Sequence, residues 1–178
     1  MQKEVVEVAT RENLLVILKE VSRKMNAVKV KLIDEYGIYF SNKNLSEIIG
    51  KIIEKTASEY FTNKLGYEVK NALTDKEPDL LFTQKDLSIE IKVTSTKNAW
   101  TGGEFSKRPF HYLLVSWGGG FDEFFVCAVK LAKKDWKSNI SSNYYGPSLS
   151  IKKLNSLKDK LIVVGSIDNE NRMVREKV

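Results

Sequence analysis

Histidine and cysteine are almost missing from this 178-residue chain, which has one of each, His111 and Cys127. A lone cysteine cannot close a disulfide within the chain, and a multi-cysteine zinc site is excluded. Lying in the apolar run FFVCAV, Cys127 reads as a core thiol suited to a reducing cytoplasm. One histidine leaves little room for histidine-rich metal centres or His-dependent nucleases, and any nucleophilic triad would need this one residue without a GxSxG motif beside it. His111 opens an apolar strand pattern and reads as structural. Long hydrophobic runs are also absent: nothing approaches the ~18 apolar residues that span a bilayer. The opening MQKEVVEVATRENLL has early acids and no apolar core of a signal peptide. The expectation is a soluble, cytoplasmic protein with no membrane partner.

What is present is an ordinary globular mixture, 42% hydrophobic and 29% charged, long enough for one domain with a real core. Lysine and arginine number 29 against 23 acids, a formal +6. That excess permits a polyanionic partner without demanding one.

Residues 11–25, RENLLVILKEVSRKM, space Leu14, Leu15, Ile17, Leu18 and Val21 as a helix, with Thr10 as its cap. AVKVKLIDEYGIYF is ambiguous between strand and continuing helix. A second helix is expected from Asn44, which with Glu47 forms a capping-box pattern, and it is stopped by Gly66. Strands follow at Tyr67–Lys70, DLLFT, LSIEIKV, HYLLVSW, EFFVCAVKL and LIVVGSI. Between them lie a long polar loop from Ser95 to Pro109, a short helix at LAKKDW and a turn-rich loop at SNYYGPS. This order gives an α/β fold, a central mixed β-sheet flanked by helices. One domain over 1–178 is expected, with an N-terminal helical region at 1–43, a core at 44–167 and a charged tail at 168–178.

Side chains two apart on a strand share a face. In LSIEIKV, Glu90 and Lys92 therefore point one way, while Ile89, Ile91 and Val93 point the other and can pack on a helix. If DLLFT is the antiparallel neighbour, Asp79 at its start faces Glu90. Two close carboxylates make a hard-oxygen site suited to Mg²⁺. With Lys92 beside them, they fit metal-assisted phosphodiester hydrolysis, because without an ion the acids would repel a phosphate. The alternative is a pair of amphipathic strands with solvated charges.

Pro78-Asp79 followed by Glu90-Ile91-Lys92 resembles the PD-(D/E)xK nuclease superfamily, which includes type II restriction endonucleases. The resemblance spans roughly residues 45–130 in element order, with four tightly matched residues, Pro78, Asp79, Glu90 and Lys92. It implies a restriction endonuclease-like core in which Asp79, Glu90 and the Ile91 carbonyl bind Mg²⁺ and Lys92 activates or positions water. It also implies an acid on the preceding helix, Glu54 or, as second choice, Glu59.

The loop TSTKNAWTGGEFSKRPF leaves the strand that holds Lys92. Lys97, Asn98, Trp100, Ser106, Lys107 and Arg108 there, and Tyr144 in the later loop, are the candidate DNA contacts. Gly102-Gly103 would let backbone approach DNA closely, and a tryptophan exposed on a mobile loop would need a partner. The alternative is a surface loop with incidental charges. Trp117 and Trp136 read as packing residues.

Together these features suggest a type II restriction enzyme that cuts double-stranded DNA. One site per small domain suggests a homodimer, with the N-terminal helix as the dimer element because its apolar content exceeds what one small sheet must cover. A cognate DNA methyltransferase acting on the same site is the partner such an enzyme implies. The rivals are a structure-selective nuclease of junction-resolving or repair type, a non-catalytic DNA-binding module, and a plain interaction domain.

Overall fold

The alternating segment around Glu90 forms an interior strand of a six-stranded mixed sheet. The computed structural model describes residues 5, 7–74, 76–95, 99–141, 144–157 and 161–167, with backbone only at 138–141, 144–145 and 161–167. Two long helices come first, α1 (Arg11–Val28) and α2 (Asn42–Asn63). The sheet is built from β1 (Val69–Asn71), β2 (Leu80–Phe82), β3 (Leu87–Ser95), β5 (Phe110–Gly118), β6 (Glu123–Leu131) and β9 (Leu161–Ile167). Their spatial order is β1-β2-β3-β5-β6-β9, and every pairing is antiparallel except β3 with β5.

Capping fixes where the helices begin. Thr10 Oγ1 accepts from the Asn13 amide at 3.1 Å, as its sequence position predicts. The α2 cap is Ser41 rather than Asn44: its hydroxyl accepts from the Asn44 amide at 3.2 Å, so the helix begins at Asn42, ahead of the expected start. Glu47 is thus no capping residue, and it sits on the exposed helix surface opposite Lys43. Each such cap contributes about 1 kcal/mol. At the other end Gly66 takes φ +72°, a left-handed turn that glycine enters without steric cost. Between the helices, the ambiguous stretch resolves as a π-helical extension, Lys29–Glu35, with no buried residue.

Both faces of the sheet are covered. On one face, Leu45, Ile49, Ile53, Ala57 and Phe61 form an i, i+4 ridge of α2 that packs with α1 against Ile89, Ile91, Leu113, Val115 and Val126. At Gly50 α2 lies against β3: a Cβ there would sit 3.7 Å from Val93 Cγ2, an ordinary packing distance. The apolar face of α1 is used inside the chain: Leu14, Leu15, Ile17, Leu18, Val21 and Met25 are all buried in this core. The expected surplus of apolar surface for a dimer contact is therefore not found on α1.

The opposite face carries the larger correction. The segment after Lys92, expected to be a polar loop, contains β4 (Trp100–Thr101) and a 3₁₀ turn (Glu104–Lys107). Of SNYYGPS, expected to be a loop, the described residues from Tyr144 onward belong to β8 (Tyr144–Leu149), which pairs antiparallel with β7 (Lys137–Ser141). A second sheet of order β4-β8-β7, followed by the short α3 (Ile151–Asn155), lies over this face. Trp100, Phe105, Trp136, Leu149 and Leu154 pack there with Tyr112, Leu114, Cys127 and Val129 of the main sheet. Burial in this layer pushes the Cys127 thiol up to about 12, in keeping with an inert core cysteine. Trp117 and Trp136 are packing residues as expected, the former donating its indole N–H to Ser46 Oγ at 2.9 Å. Among the described residues, no helix is long and apolar enough to cross a membrane.

Candidate active site

The register of β2 on β3 pairs Leu80 with Ile89, which carries the preceding residue, Asp79, to the level of Glu90. There Asp79 Oδ2 accepts the main-chain N–H of Ile91 at 2.6 Å. The aspartate is thus fastened to the strand that bears the other two residues. Glu90 and Lys92 share a face of β3, as their spacing predicts, and Lys92 Nζ donates to Glu90 Oε1 at 2.7 Å. Ile89 and Ile91 face the helices.

Glu90 is only 6% exposed, and its second oxygen, Oε2, is buried with no hydrogen-bond partner among the described residues. Burial raises its pKa above the ordinary glutamate range; Lys92 opposes the shift and the neighbouring Asp79 charge adds to it. A fully ionised, half-satisfied carboxylate in such a place is costly.

Glu54 joins from α2. Its pKa is also raised, first by burial and then, against the Lys51 hydrogen bond, by the charge of Asp79. Lys51 Nζ bridges both Glu54 oxygens, at 2.9 and 2.8 Å. Glu59, the other helix acid considered, points elsewhere: it is paired with Lys55 at 2.8 Å and Lys24 at 3.8 Å. The fold therefore brings Glu54, Asp79, Glu90 and Lys92 together from α2, the start of β2 and β3.

Two clefts meet at this point. One, of about 820 Å³, is lined by residues that include Asp79, Glu90, Lys92, Leu73, Lys76 and Gly103. The other, of about 710 Å³, runs past Asp79, Ile91, Lys92 and Glu54 towards Asn42 and Lys43. Lys51, Asp79 and Lys92 line both, so the acids and the lysines sit where the two clefts join. On one rim, the loop after β1 is tied down by Glu77 Oε2, which accepts from the amides of Leu73 and Thr74 at 2.7 and 3.3 Å. The donor set offered to a cation is all oxygen. Among the described residues, no group of three or more His, Cys, Asp or Glu side chains is arranged to hold a metal.

The expected DNA contacts fare unevenly. Trp100 is a correction: it is fully buried, with its indole N–H donated to the Val115 carbonyl at 2.8 Å, so it presents no exposed ring. Ser106 is corrected likewise, being buried with its hydroxyl bonded to the Gly103 carbonyl at 2.6 Å. Gly102 serves packing rather than DNA approach, since a Cβ would fall 2.8 Å from both Pro147 Cγ and Ser106 Cβ. Lys107 and Arg108 are exposed, the first paired with Glu104 at 2.7 Å and the second lying over the Phe105 and Phe110 rings. Lys97 and Asn98, the side chain of Tyr144 and the tail 168–178 lie outside the described residues.

Lys51 lines both clefts and is not read from the sequence, whereas Gly103, expected to let backbone approach DNA, lines the first cleft beside Lys92. Lys51 stands three residues before Glu54, a spacing that was visible but looks like any solvated helix pair. A Cβ at Gly103 would lie 3.5 Å from Lys92 Nζ, an ordinary contact, which places this residue against the Lys92 ammonium. Comparison of the chain with protein-family models and with curated proteins returns no match.

Proposed function

We propose that this chain is a Mg²⁺-dependent endonuclease of the PD-(D/E)xK type that hydrolyses both strands of double-stranded DNA at a specific site, as a type II restriction enzyme does. The observation that carries this reading is the fastening of Asp79 to the Ile91 amide, beside a Glu90–Lys92 pair, where two clefts share Asp79 and Lys92 in their walls.

With no three acids among the described residues arranged as a ready-made metal site, what the chain offers a divalent cation is the pair Asp79 and Glu90 with nearby main chain. Glu90 Oε2 is a buried acceptor without a donor among the described residues, and burial together with the charge of Asp79 raises both Glu90 and Glu54. An ion with one or two carboxylates, a carbonyl and water in its shell would relieve each of these costs. Asp79, Glu90 and the Ile91 carbonyl would hold Mg²⁺, with Glu54 assisting. When bound, Mg²⁺ supplies Lewis-acid stabilisation of phosphate charge and acidifies water.

The chain's own groups do the remainder. Lys92, one-quarter exposed at its side chain, donates hydrogen bonds to the attacking water or to a phosphate oxygen. Water attacks phosphorus, the bond to the 3′ oxygen breaks, and the products are a 5′-phosphate and a 3′-hydroxyl. The groove walls position the backbone, and Lys43, Lys76 and Lys51 in the clefts offer phosphate contacts. Cutting both strands calls for two such sites, hence a pair of chains, and a site-specific cutter calls for a methyltransferase that protects its host.

One observation favours a second reading, a nuclease that selects DNA shape. Trp100 and Ser106 are withdrawn into the core, which leaves Lys107 and Arg108 as the exposed polar readers described after β4. Incubation with unmethylated plasmid and Mg²⁺, beside branched and linear oligonucleotides, tests both. Discrete plasmid fragments support the restriction enzyme. Cleavage confined to branched substrates supports the second reading. DNA binding without cleavage points to a non-catalytic module, and neither activity removes both readings.

A further inference from the structure

Lys51 holds both oxygens of Glu54, a partly buried acid at the edge of the site. Its ammonium engages both carboxylate oxygens, at 2.9 and 2.8 Å, so no oxygen of Glu54 is without a cationic neighbour. The two partners differ sharply in exposure: the Glu54 side chain is 12% exposed and that of Lys51 is 75% exposed. The carboxylate is the fixed half of the pair, and the ammonium is the half that can leave.

We infer that Lys51 is a built-in counter-ion of the site: it neutralises Glu54 in the ion-free protein, a divalent cation displaces it, and the released ammonium then contacts a DNA phosphate in the groove. This rests on the nuclease reading for its second half only. Glu54 stands beside Asp79, so in the ion-free protein its ionised form calls for a cationic neighbour. A lysine supplies one as a compact charge on a flexible stem, which can swing without moving its helix. A cation arriving at Glu54 must compete with Lys51 for the same two oxygens. Once released, Lys51 remains on the seam shared by the two clefts, next to Lys92, where a substrate phosphate would run. The same positive charge then serves the acid in one state and the polyanion in the other.

The test is titration of the full chain with Mn²⁺ alone, by calorimetry or water-proton relaxation, for wild type, Lys51→Gln and Lys51→Arg. Removing an exposed, ion-paired competitor should tighten Mn²⁺ binding by about two- to fivefold in Lys51→Gln. Lys51→Arg, which keeps the charge, should bind Mn²⁺ no more tightly than wild type. In Ca²⁺, DNA affinity of Lys51→Gln should fall less steeply with salt, its logarithmic slope smaller by about one phosphate contact. Equal or weaker Mn²⁺ binding by Lys51→Gln, or no Mn²⁺ binding by any of the three, overturns the counter-ion role. An unchanged salt slope overturns the phosphate role. Tighter Mn²⁺ binding by Lys51→Gln in a protein that never cuts DNA upholds the counter-ion and sinks the nuclease reading instead.

Discussion

Asp79 and Ile91 are joined by a 2.6 Å hydrogen bond from the Ile91 amide to the aspartate carboxylate. The bond makes Asp79 both a structural clamp between β2 and β3 and a member of the acidic cluster. The two roles separate by substitution. Asp79→Asn keeps an oxygen acceptor for the amide, so its denaturant midpoint should stay near that of wild type while Mg²⁺-dependent cleavage is lost. Asp79→Ala strands a main-chain donor and should also lose about 1–3 kcal/mol of stability. Equal midpoints for the two variants would show that the clamp is unimportant.

Glu90 gives a pH signature. Its folded pKa is raised, so the ionised form is disfavoured in the folded state. The stability tied to this group is fully present below the ordinary glutamate value of 4.5 and is lost as pH rises through the folded pKa. Glu90→Gln removes that loss. The melting temperature of Glu90→Gln minus that of wild type should therefore grow as pH rises above 4.5, in EDTA, while the variant cleaves nothing. A difference that is flat with pH, or shrinks, would contradict the burial argument.

Added Mg²⁺ should act in the same window from the other side. Protons and the ion compete for the same oxygens of Glu90 and Glu54, both raised. Thermal stabilisation by 10 mM Mg²⁺, a concentration on the order of those at which ligand linkage shows clearly, should be larger at pH 8 than at pH 5. The measurement is a melting curve with and without the ion, and equal shifts at the two pH values would argue against these carboxylates as the binding groups.

Trp100 belongs to folding rather than to DNA contact. Trp100→Ala should cost about 3–5 kcal/mol of stability. Trp100→Phe keeps most of the packing but forfeits the bond to the Val115 carbonyl, and the folded variant should bind DNA like wild type. Reduced DNA affinity in a fully folded Trp100→Phe would return this residue to the interface.

The parts of the fold that the residues announce are those set by short-range periodicity. LSIEIKV alternates strictly, so the faces of Glu90, Lys92 and Ile91 follow from spacing alone, and the α2 stripe follows from a period near four. The segment around Trp100 hides its strand because its partner, Leu149, is distant in the chain and its neighbours are glycine and polar residues. SNYYGPS misleads for a related reason: Asn, Gly and Pro signal a turn, yet pairing with β7 and β4 overrides them. The α2 start was displaced because Ser41 and Asn44 are both good caps, and only the geometry chooses. In the site, Asp79, Glu90 and Lys92 were legible as one hairpin. Lys51 was not, since it becomes a cleft residue only when α2 is laid against β3.

The account depends most on Lys92 acting with the two acids around a divalent ion. The direct measurement is the rate of supercoiled plasmid loss in Mg²⁺ and in EDTA, for wild type and for Lys92→Ala shown to be folded by circular dichroism. The expected result is cleavage by wild type in Mg²⁺ only, and a loss of at least about 10²-fold in the variant, the scale of removing one preorganised donor. Cleavage by Lys92→Ala at the wild-type rate, or wild-type cleavage undiminished in EDTA, would contradict it.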